Sequence, residues 1–185
     1  MIYFVRHGQT DWNKQGLLQG QSDIPLNEEG IAQAKQVGEW LKEIPIDKVY
    51  CSPLKRTRET ANWIIADRGL AVSEDERLLE RHFGELEGSH KSEWDFQSFW
   101  VLDTQAKYGM ESVEDLFERV YRFLDMIQEE AIDHNILLVA HGGVSIPFQC
   151  YFNEEYKKKE LTSLILKNCE VAQRESKKKQ MCEKG

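Results

Sequence analysis

Two segments of the sequence place a histidine and a glycine directly after an apolar run. The letters "RHG" at 6–8 follow the run at 2–5, and "HGG" at 141–143 follows the longer run at 135–140. Both runs have the composition of buried strands, so each histidine is expected at a strand end. A neutral imidazole is available near pH 7 and is a competent nucleophile. The paired arrangement therefore indicates a catalytic site rather than two unrelated turns.

The cations near these junctions indicate which ligand such a site would bind. Arg6 stands beside the first histidine, and Arg56 falls in the first turn of the helix predicted after the second strand. A guanidinium binds phosphate through two parallel hydrogen bonds and stays charged at any working pH. Backbone N–H groups at Gly8 or Gly142 would add donors for an anion, and Asn13 follows in the same loop. These groups together predict an oxyanion pocket, most simply one for phosphate.

A histidine in a phosphate pocket can form a covalent bond to phosphorus. Attack by His7 would give a phosphohistidine, whose P–N bond is labile enough to turn over. A protonated His141 would stabilise charge on the equatorial oxygens. The leaving alcohol also needs a proton, and the best-placed acid is Glu80, with Glu85 and Glu87 as rivals. These residues predict phosphoryl transfer assisted by a carboxylic acid.

The elements that must position these residues alternate between strand and helix patterns. Apolar or β-branched runs predict the strands 2–5, 47–52, 70–74, 135–140 and 161–168. Helices are predicted to begin at the capping residues Asn27, Ser52 and Ser112, and residues 8–26 are predicted to form a loop. Such alternation predicts an α/β fold, a three-layer sandwich with a mostly parallel central sheet and helices on both faces. Ligands of these folds bind beyond the carboxyl ends of the strands, where both His-Gly junctions fall.

The chain of 185 residues is long enough for one domain with a full core. We expect a single domain over 1–170, with 80–111 as an insert near the active site and 171–185 as a polar C-terminal tail. The net charge of −8 argues against general binding to nucleic acid, and no run is long and apolar enough to cross a membrane. No signal-peptide pattern precedes the first strand, and the cysteines form no paired motif, so we expect a cytoplasmic protein.

Five motifs, in the order in which they occur, resemble those of the histidine phosphatase superfamily, which includes the cofactor-dependent phosphoglycerate mutases. The motifs are "VRHGQTDWN", "LLQGQSDIPLNEEG", "SPLKRTRETA", "LLERHFGELEG" and "LVAHGG". The resemblance covers residues 1–170. It implies a phosphoglycerate mutase-like fold, a small-molecule phosphomonoester as substrate, and catalysis without a metal or other cofactor. Edge-strand pairing occurs among such proteins, which leaves a homodimer open.

The resemblance also implies a role for each residue that matches a motif. His7 would be the nucleophile, and Glu80 would be the general acid that protonates the leaving oxygen and later activates the acceptor. The residues expected to hold the phosphoryl group are Arg6, Gly8, Asn13, Arg56, His141 and Gly142. The residues expected to line the rest of the substrate site are Gln19, Gly20, Arg81, His82, Phe83 and Lys91.

The acceptor that takes the phosphoryl group from the histidine distinguishes the phosphatases of this superfamily from its mutases. "ERHFG" is close to the mutase form, which has Tyr in place of Phe83, and Lys91 matches a mutase lysine that holds the substrate carboxylate. The mutases also carry paired arginines in a longer insert, whereas residues 92–112 here contain no arginine. A mutase needs extra cations to retain its bisphosphorylated intermediate. We therefore favour a phosphatase, with a phosphoglycerate mutase as the alternative and a catalytically weak phospho-ligand-binding protein as a further one.

The insert also carries a group of four aromatic side chains, namely Trp94, Phe96, Phe99 and Trp100. Two interpretations stay open for them. They could pack the insert onto the core, or they could form an apolar wall over the leaving group. The second arrangement would favour a substrate with nonpolar or ring character.

Overall fold

The computed structural model describes residues 1–66, 68–101 and 108–178. In this part of the chain, five strands form one mixed sheet in the order β3-β2-β4-β1-β5. They are β1 Ile2–Arg6, β2 Lys48–Cys51, β3 Val72–Glu74, β4 Ile136–Ala140 and β5 Val171–Arg174. β1 is parallel to β4, and β2 is parallel to both β3 and β4, whereas β5 is antiparallel to β1. The mostly parallel sheet predicted from the sequence is confirmed.

Helices cover both faces of this sheet. The α-helices are α1 Asp11–Gln15, α2 Glu28–Trp40, α3 Lys55–Ile64, α4 Val113–Ile127, α5 Glu130–Asp133 and α6 Gly142–Phe152. Ile2 and Phe4 of β1 join the core under α4 and α6, whereas Tyr3 and Val5 join the core under α2 and α3. Every residue of β4 is likewise buried, which explains its uninterrupted apolar sequence. The three-layer α/β sandwich is thus confirmed. No helix of the described residues is long and apolar enough to span a membrane.

Two of the predicted helix starts are confirmed by their capping hydrogen bonds. The Asn27 side chain accepts a hydrogen bond from the backbone N–H of Gly30 at 2.9 Å, and Ser112 Oγ accepts one from Asp115 N–H at 3.0 Å. The predicted loop over 8–26 contains the short helix α1, which the sequence pattern did not reveal. Capping residues therefore located α2 and α4 but not the short helix α1.

The predicted start of α3 at Ser52 is wrong. The helix begins at Lys55, with Leu54 at the N-cap position and no capping side chain. Ser52 directly follows β2 and remains bonded to the neighbouring strand, because its N–H donates to the Val139 carbonyl at 3.2 Å. Its hydroxyl oxygen lies 2.8 Å from His141 Nε2 and does not cap α3.

The predicted last strand at 161–168 is also wrong. Leu161–Leu164 forms a 3₁₀ turn, and both of these leucines are buried in the core. Apolar residues three positions apart fit the period of such a turn as well as they fit a short buried strand. The last strand is β5, so the sheet extends beyond the predicted domain boundary at 170 into the predicted tail. The end of that tail, 179–185, lies outside the described residues.

The described part of the predicted insert, 80–101 and 108–111, consists of turns and short 3₁₀ segments. Its buried side chains belong to the same core as α4, among them Leu86, Phe99 and Met110. Residues 102–107 of the insert lie outside the described residues. The insert thus packs on the layer that carries α4 and α6.

Candidate functional site

The two His-Gly junctions meet at one edge of the sheet. β1 and β4 are parallel neighbours in which Arg6 is opposite Ala140, so the residues that follow also lie side by side. The backbone N–H of His7 donates to the Ala140 carbonyl at 2.9 Å. The rings of His7 and His141 are 5.2 Å apart between centroids, in an edge-on arrangement. Parallel pairing of two strands is what brings these distant motifs together.

His7 is buried and held in one tautomer. Its Nδ1 lies 2.7 Å from the Gly8 carbonyl oxygen, which can only accept, so Nδ1 carries the proton. Nε2 then keeps its lone pair and makes no hydrogen bond to any other described residue. Burial lowers the pKa of His7 well below its usual range, and the charges of Arg56 and Arg6 lower it further. The ring is therefore neutral near pH 7, as a nucleophile requires.

The predicted role of Gly8 as an anion donor is not supported. Its N–H donates to Thr60 Oγ1 at 3.0 Å, so it is already used within the fold. A Cβ at this position would collide with the backbone carbonyl of Gly30, in the first turn of α2. Gly8 therefore allows a close approach of α2 to the end of β1, and so fixes the backbone on which the neighbouring histidine sits.

Arg6 presents its guanidinium to the site from the end of β1. One terminal nitrogen donates to the Leu166 carbonyl at 2.6 Å. Its Nε is buried and has no hydrogen-bond partner among the described residues. Burial lowers the pKa of Arg6, and the charge of Glu80 opposes this shift. An unpartnered buried donor on a cation is a natural contact for an anionic ligand.

Arg56 is fully buried in the first turn of α3. Its two terminal nitrogens donate to the carbonyls of Gly20 and Ser22, each at 2.7 Å. Its Nε donates to His141 Nδ1 at 3.2 Å. Burial lowers the pKa of Arg56 to about 10, which still leaves it charged at neutral pH. Three hydrogen bonds thus hold this guanidinium in one orientation.

His141 lies behind this arginine and does not line the cavity. Besides the bond to Arg56, its Nε2 lies 2.8 Å from Ser52 Oγ. Burial lowers the pKa of His141 well below its usual range, and the charge of Arg56 adds to this effect. The expected imidazolium at this position is therefore not supported, because the ring is neutral and both of its nitrogens are occupied.

A small cavity of about 80 Å³ opens beside the first histidine. The predicted site residues that line it are Arg6, His7, Asn13, Gln19, Gly20, Arg56, Glu80, Phe83, Lys91 and Gly142. The apolar part of the wall comes from Leu17, Leu18, Phe96, Trp100 and Ile165. The described residues contain no group of three or more His, Cys, Asp or Glu side chains that could hold a metal ion. The cavity thus joins cations, one carboxylate and an apolar wall.

Glu80 supplies the carboxylate of this cavity. One oxygen accepts from the backbone N–H of Gly143 at 3.1 Å, and the other accepts from Arg81 N–H at 2.8 Å. The rival Glu87 is used differently, since its oxygens accept from the backbone N–H groups of Gln21 and Ser22. The other rival, at position 85, is exposed. Among the predicted acids, only Glu80 is both in the cavity and held in place.

Asn13 and Gln19 line the cavity, and both also form hydrogen bonds within the segment that joins β1 to α2. Thr10 Oγ1 donates to Gln19 Oε1 at 2.8 Å, and the Asn13 side-chain oxygen accepts from Thr10 N–H at 3.1 Å. Lys91 also lines the cavity, and burial followed by the charge of Arg6 lowers its pKa. The described residues offer this ammonium no carboxylate within ion-pair distance.

Two predicted substrate-binding residues do not reach the cavity. Arg81 is buried, and its guanidinium donates to the carbonyls of Glu111 and Phe99. His82 is exposed, and its Nδ1 lies 3.2 Å from the Gly109 carbonyl. Their predicted roles are not supported, because Arg81 ties the two ends of the insert together and His82 faces solvent.

Sequence reasoning missed several residues that orient the site. Ser52 contacts the second histidine, and Thr60 contacts Gly8. Asn168 donates from Nδ2 to the His7 carbonyl at 2.9 Å. Ser52 and Thr60 both lie within the motif "SPLKRTRETA", so the motif itself was the available signal. Nothing local in the sequence marked Asn168, which is the last residue of the segment wrongly predicted as a strand.

Comparisons with known proteins identify the family of the chain. The sequence model of the histidine phosphatase superfamily (branch 1) matches residues 2–181. The uncharacterized phosphatase PhoE of Bacillus subtilis is 35% identical over 142 residues, covering 77% of this chain and 72% of the relative. The probable phosphoglycerate mutase GpmB of Klebsiella pneumoniae (strain 342) is 39% identical over 149 residues, covering 76% of this chain and 69% of the relative.

A solved structure extends the similarity to the fold. The mycobacterial glucosyl-3-phosphoglycerate phosphatase superposes with a TM-score of 0.78 at 28% identity, covering 92% of this chain and 90% of that one. The relatives of this chain by sequence are thus phosphatases or phosphoglycerate mutase-like enzymes, and this chain shares the fold of such a phosphatase. The chain belongs to branch 1 of the histidine phosphatase superfamily.

Proposed function

We propose that this enzyme hydrolyses a small phosphomonoester through a phosphohistidine formed on His7. The observation that carries the proposal is the state of this ring, which is neutral and keeps its Nε2 lone pair beside the cavity. Two guanidinium groups line the same cavity, from Arg6 and Arg56. A nucleophile next to fixed cations suits an anionic phosphoryl group.

In the first step, His7 Nε2 forms a bond to phosphorus while the ester P–O bond breaks. Glu80, in its protonated form, gives its proton to the leaving oxygen, so that an alcohol departs and the carboxylate remains. Arg6 and Arg56 stabilise the charge on the phosphoryl oxygens. In the second step, Glu80 takes a proton from water, whose oxygen forms the new P–O bond as the P–N bond breaks. Phosphate and the free imidazole result.

The charges around the cavity favour water as the acceptor over a second hydroxyl of a retained ligand. Lys91 is the remaining cation of the lining besides the two arginines, as far as the described residues show. Arg81, which directly follows Glu80 in the insert, donates to carbonyl groups and does not reach the cavity. A bisphosphorylated intermediate would therefore find few cations for its second phosphate.

The apolar wall supports a leaving group with some nonpolar or ring character. Phe96 and Trp100 come from the insert, and Ile165 comes from the segment before β5. Phe99, from the same aromatic group, is buried in the core without lining the cavity. Both interpretations of the aromatic group thus find support, since it packs the insert and also borders the site.

One incubation tests whether water or a second hydroxyl of a retained ligand accepts the phosphoryl group. The enzyme would receive 3-phosphoglycerate with a trace of the 2,3-bisphosphate in EDTA, beside a para-nitrophenyl phosphate reaction, and both free phosphate and 2-phosphoglycerate would be followed. We expect phosphate release without isomerisation, lost in His7→Ala and kept in His134→Ala, which removes an exposed histidine. Rapid formation of 2-phosphoglycerate would replace the proposal by a mutase with Lys91 as a candidate substrate anchor.

A further inference from the structure

We propose that Ser52 is a positioning residue that fixes the tautomer of His141 and thereby the orientation of Arg56. The three side chains form one buried series, from the end of β2 across the end of β4 to the first turn of α3. The catalytic consequence rests on the phosphoryl transfer proposed above, whereas the tautomer itself does not.

The donors and acceptors of this series allow one arrangement of protons. A guanidinium can only donate, so the 3.2 Å contact from Arg56 Nε makes His141 Nδ1 the acceptor. In a neutral ring the proton must then be on Nε2, which faces Ser52 Oγ at 2.8 Å. The serine oxygen is therefore the acceptor that the required tautomer needs.

No water can replace this acceptor without a change in packing. Ser52, His141 and Arg56 are each fully buried. A buried N–H without an acceptor is unfavourable, and the alternative tautomer would place a proton on Nδ1 against the N–H of the arginine. Loss of the serine hydroxyl therefore weakens the contact that orients the guanidinium.

The serine itself is held by main-chain contacts on both sides. Its N–H donates to the Val139 carbonyl at 3.2 Å, which extends the ladder between β2 and β4. Its carbonyl accepts from Thr57 Oγ1 at 2.8 Å, in the first turn of α3. Ser52 thus joins the sheet to the helix that carries the guanidinium, which suits a residue that sets an orientation.

The test combines a spectroscopic and a binding measurement on the whole protein. Ring ¹⁵N shifts of His141 would be recorded in the wild type, in Ser52→Ala and in Ser52→Thr, which keeps a hydroxyl. The dissociation constant of inorganic phosphate would be measured in EDTA for the same proteins. Ser176→Ala is the matched control, because Ser176 is equally buried but bonds to Gln128 away from the cavity.

We expect the wild type to show His141 protonated on Nε2, and Ser52→Ala to lose this signature and to bind phosphate about tenfold more weakly. Ser52→Thr should restore the signature, and the control should match the wild type in both measurements. A wild-type ring protonated on Nδ1, or an unchanged signature in Ser52→Ala, would overturn the proposal even if a variant folded poorly. A correct tautomer response in a protein that forms no phosphohistidine would instead contradict the proposed function alone.

Discussion

The two His-Gly junctions look alike in the sequence, yet their hydrogen bonds differ in the structure. At the first junction, His7 donates through Nδ1 to the Gly8 carbonyl, and its second nitrogen stays available beside the cavity. At the second junction, His141 uses one nitrogen for Arg56 and the other for Ser52. Both rings are buried, and burial lowers the pKa of each. Burial and charge alone therefore do not separate the proposed nucleophile from the proposed positioning group.

The difference comes from what each ring faces. A backbone carbonyl occupies a single nitrogen of the first ring, whereas a serine and an arginine occupy both nitrogens of the second. Equal motifs at equal strand ends can thus differ in which ring nitrogens stay available to a ligand.

The largest expected difference is in covalent chemistry. His7→Asn removes the attacking nitrogen, so turnover should fall by at least about 10³-fold, with no acid-labile phosphate on the protein. His141→Asn keeps an oxygen that can accept from Arg56, so turnover should fall by about 10²-fold or less. Rapid-quench labelling of the protein by a phosphate-labelled substrate measures both effects. Equal loss of the label in both variants would contradict the expected difference between the two histidines.

The glycines of the two junctions should differ in their effect on stability. A Cβ at Gly8 would collide with a backbone carbonyl of α2, so Gly8→Ala should lower the free energy of unfolding by about 3 kcal/mol. A Cβ at Gly142 would lie 3.1 Å from Ile165 Cγ2 and 3.2 Å from Arg6 Cζ, which are side-chain atoms that can shift. Gly142→Ala should therefore cost about 1 kcal/mol and raise KM through the displaced arginine.

Urea unfolding at fixed pH gives the two free energies, and phosphate-release kinetics gives KM. Equal destabilisation by both glycine substitutions would show that the backbone around the first junction can adjust. In that case the close approach of α2 would not constrain the nucleophile.

Acid should weaken the fold through both buried rings. The folded-state pKa values of His7 and His141 lie below the unfolded value of about 6.5, so the unfolded chain binds more protons in acid. The free energy of unfolding should then fall by about 1.4 kcal/mol per pH unit for each ring, from pH 6.5 down to its folded pKa. His7→Asn should remove about half of this slope, whereas His134→Gln, at an exposed position, should leave it.

These slopes are measured by urea unfolding from pH 5 to pH 8. A wild-type curve that stays flat below pH 6.5 would mean that the rings take up protons in the folded state. The structure would then have to offer each ring a second acceptor.

The smallest expected effect is on KM, and it concerns Trp100, which packs against the second junction. A Cβ on Gly143 would lie 2.8 Å from Trp100 Cη2, so the indole packs directly against this junction and borders the cavity. Trp100→Leu should change KM by a few-fold between an aryl and a small alkyl phosphate. Phe99→Leu, a buried neighbour that does not line the cavity, should lower stability by about 1 kcal/mol with the same KM ratio. Steady-state kinetics on the two substrates shows whether Trp100 contacts the leaving group or only packs the insert onto the core.

The sheet and the meeting of the two junctions could be predicted because strong local signals carried them. β1 and β4 are buried on both faces, so their apolar runs stood out, and parallel strands share the edge where a site forms. Both histidines lie at that edge, and Arg6 and Arg56 line the cavity there. His141 itself lies behind Arg56 and does not line the cavity. The hydrogen bonds of each ring could not be predicted, because they depend on groups from other elements.

The failures have a common physical reason. A serine at a strand end can cap a helix or contact a side chain across the sheet, and Ser52 does the second. Leucines three apart can belong to a strand or a turn, and those at 161 and 164 belong to a turn. The resemblance implied substrate-binding roles for Arg81 and His82 through the motif "LLERHFGELEG", but adjacent side chains of a motif need not share a direction. Each choice depends on contacts that are distant in sequence.

The position of β1 in the sheet has a consequence for how the chain acquires its shape. β1 lies between β4 and β5, and Ile2 pairs with both Ile136 and Arg174, so the first strand meets its neighbours only through the last part of the chain. Contacts so distant in sequence close late and slow folding. A partly folded chain would therefore hold α2, α3, β2 and β3 together while the apolar first strand remained open to self-association. Removing β5 alone would leave one side of β1 unpaired and turn the strand before His7 into an edge.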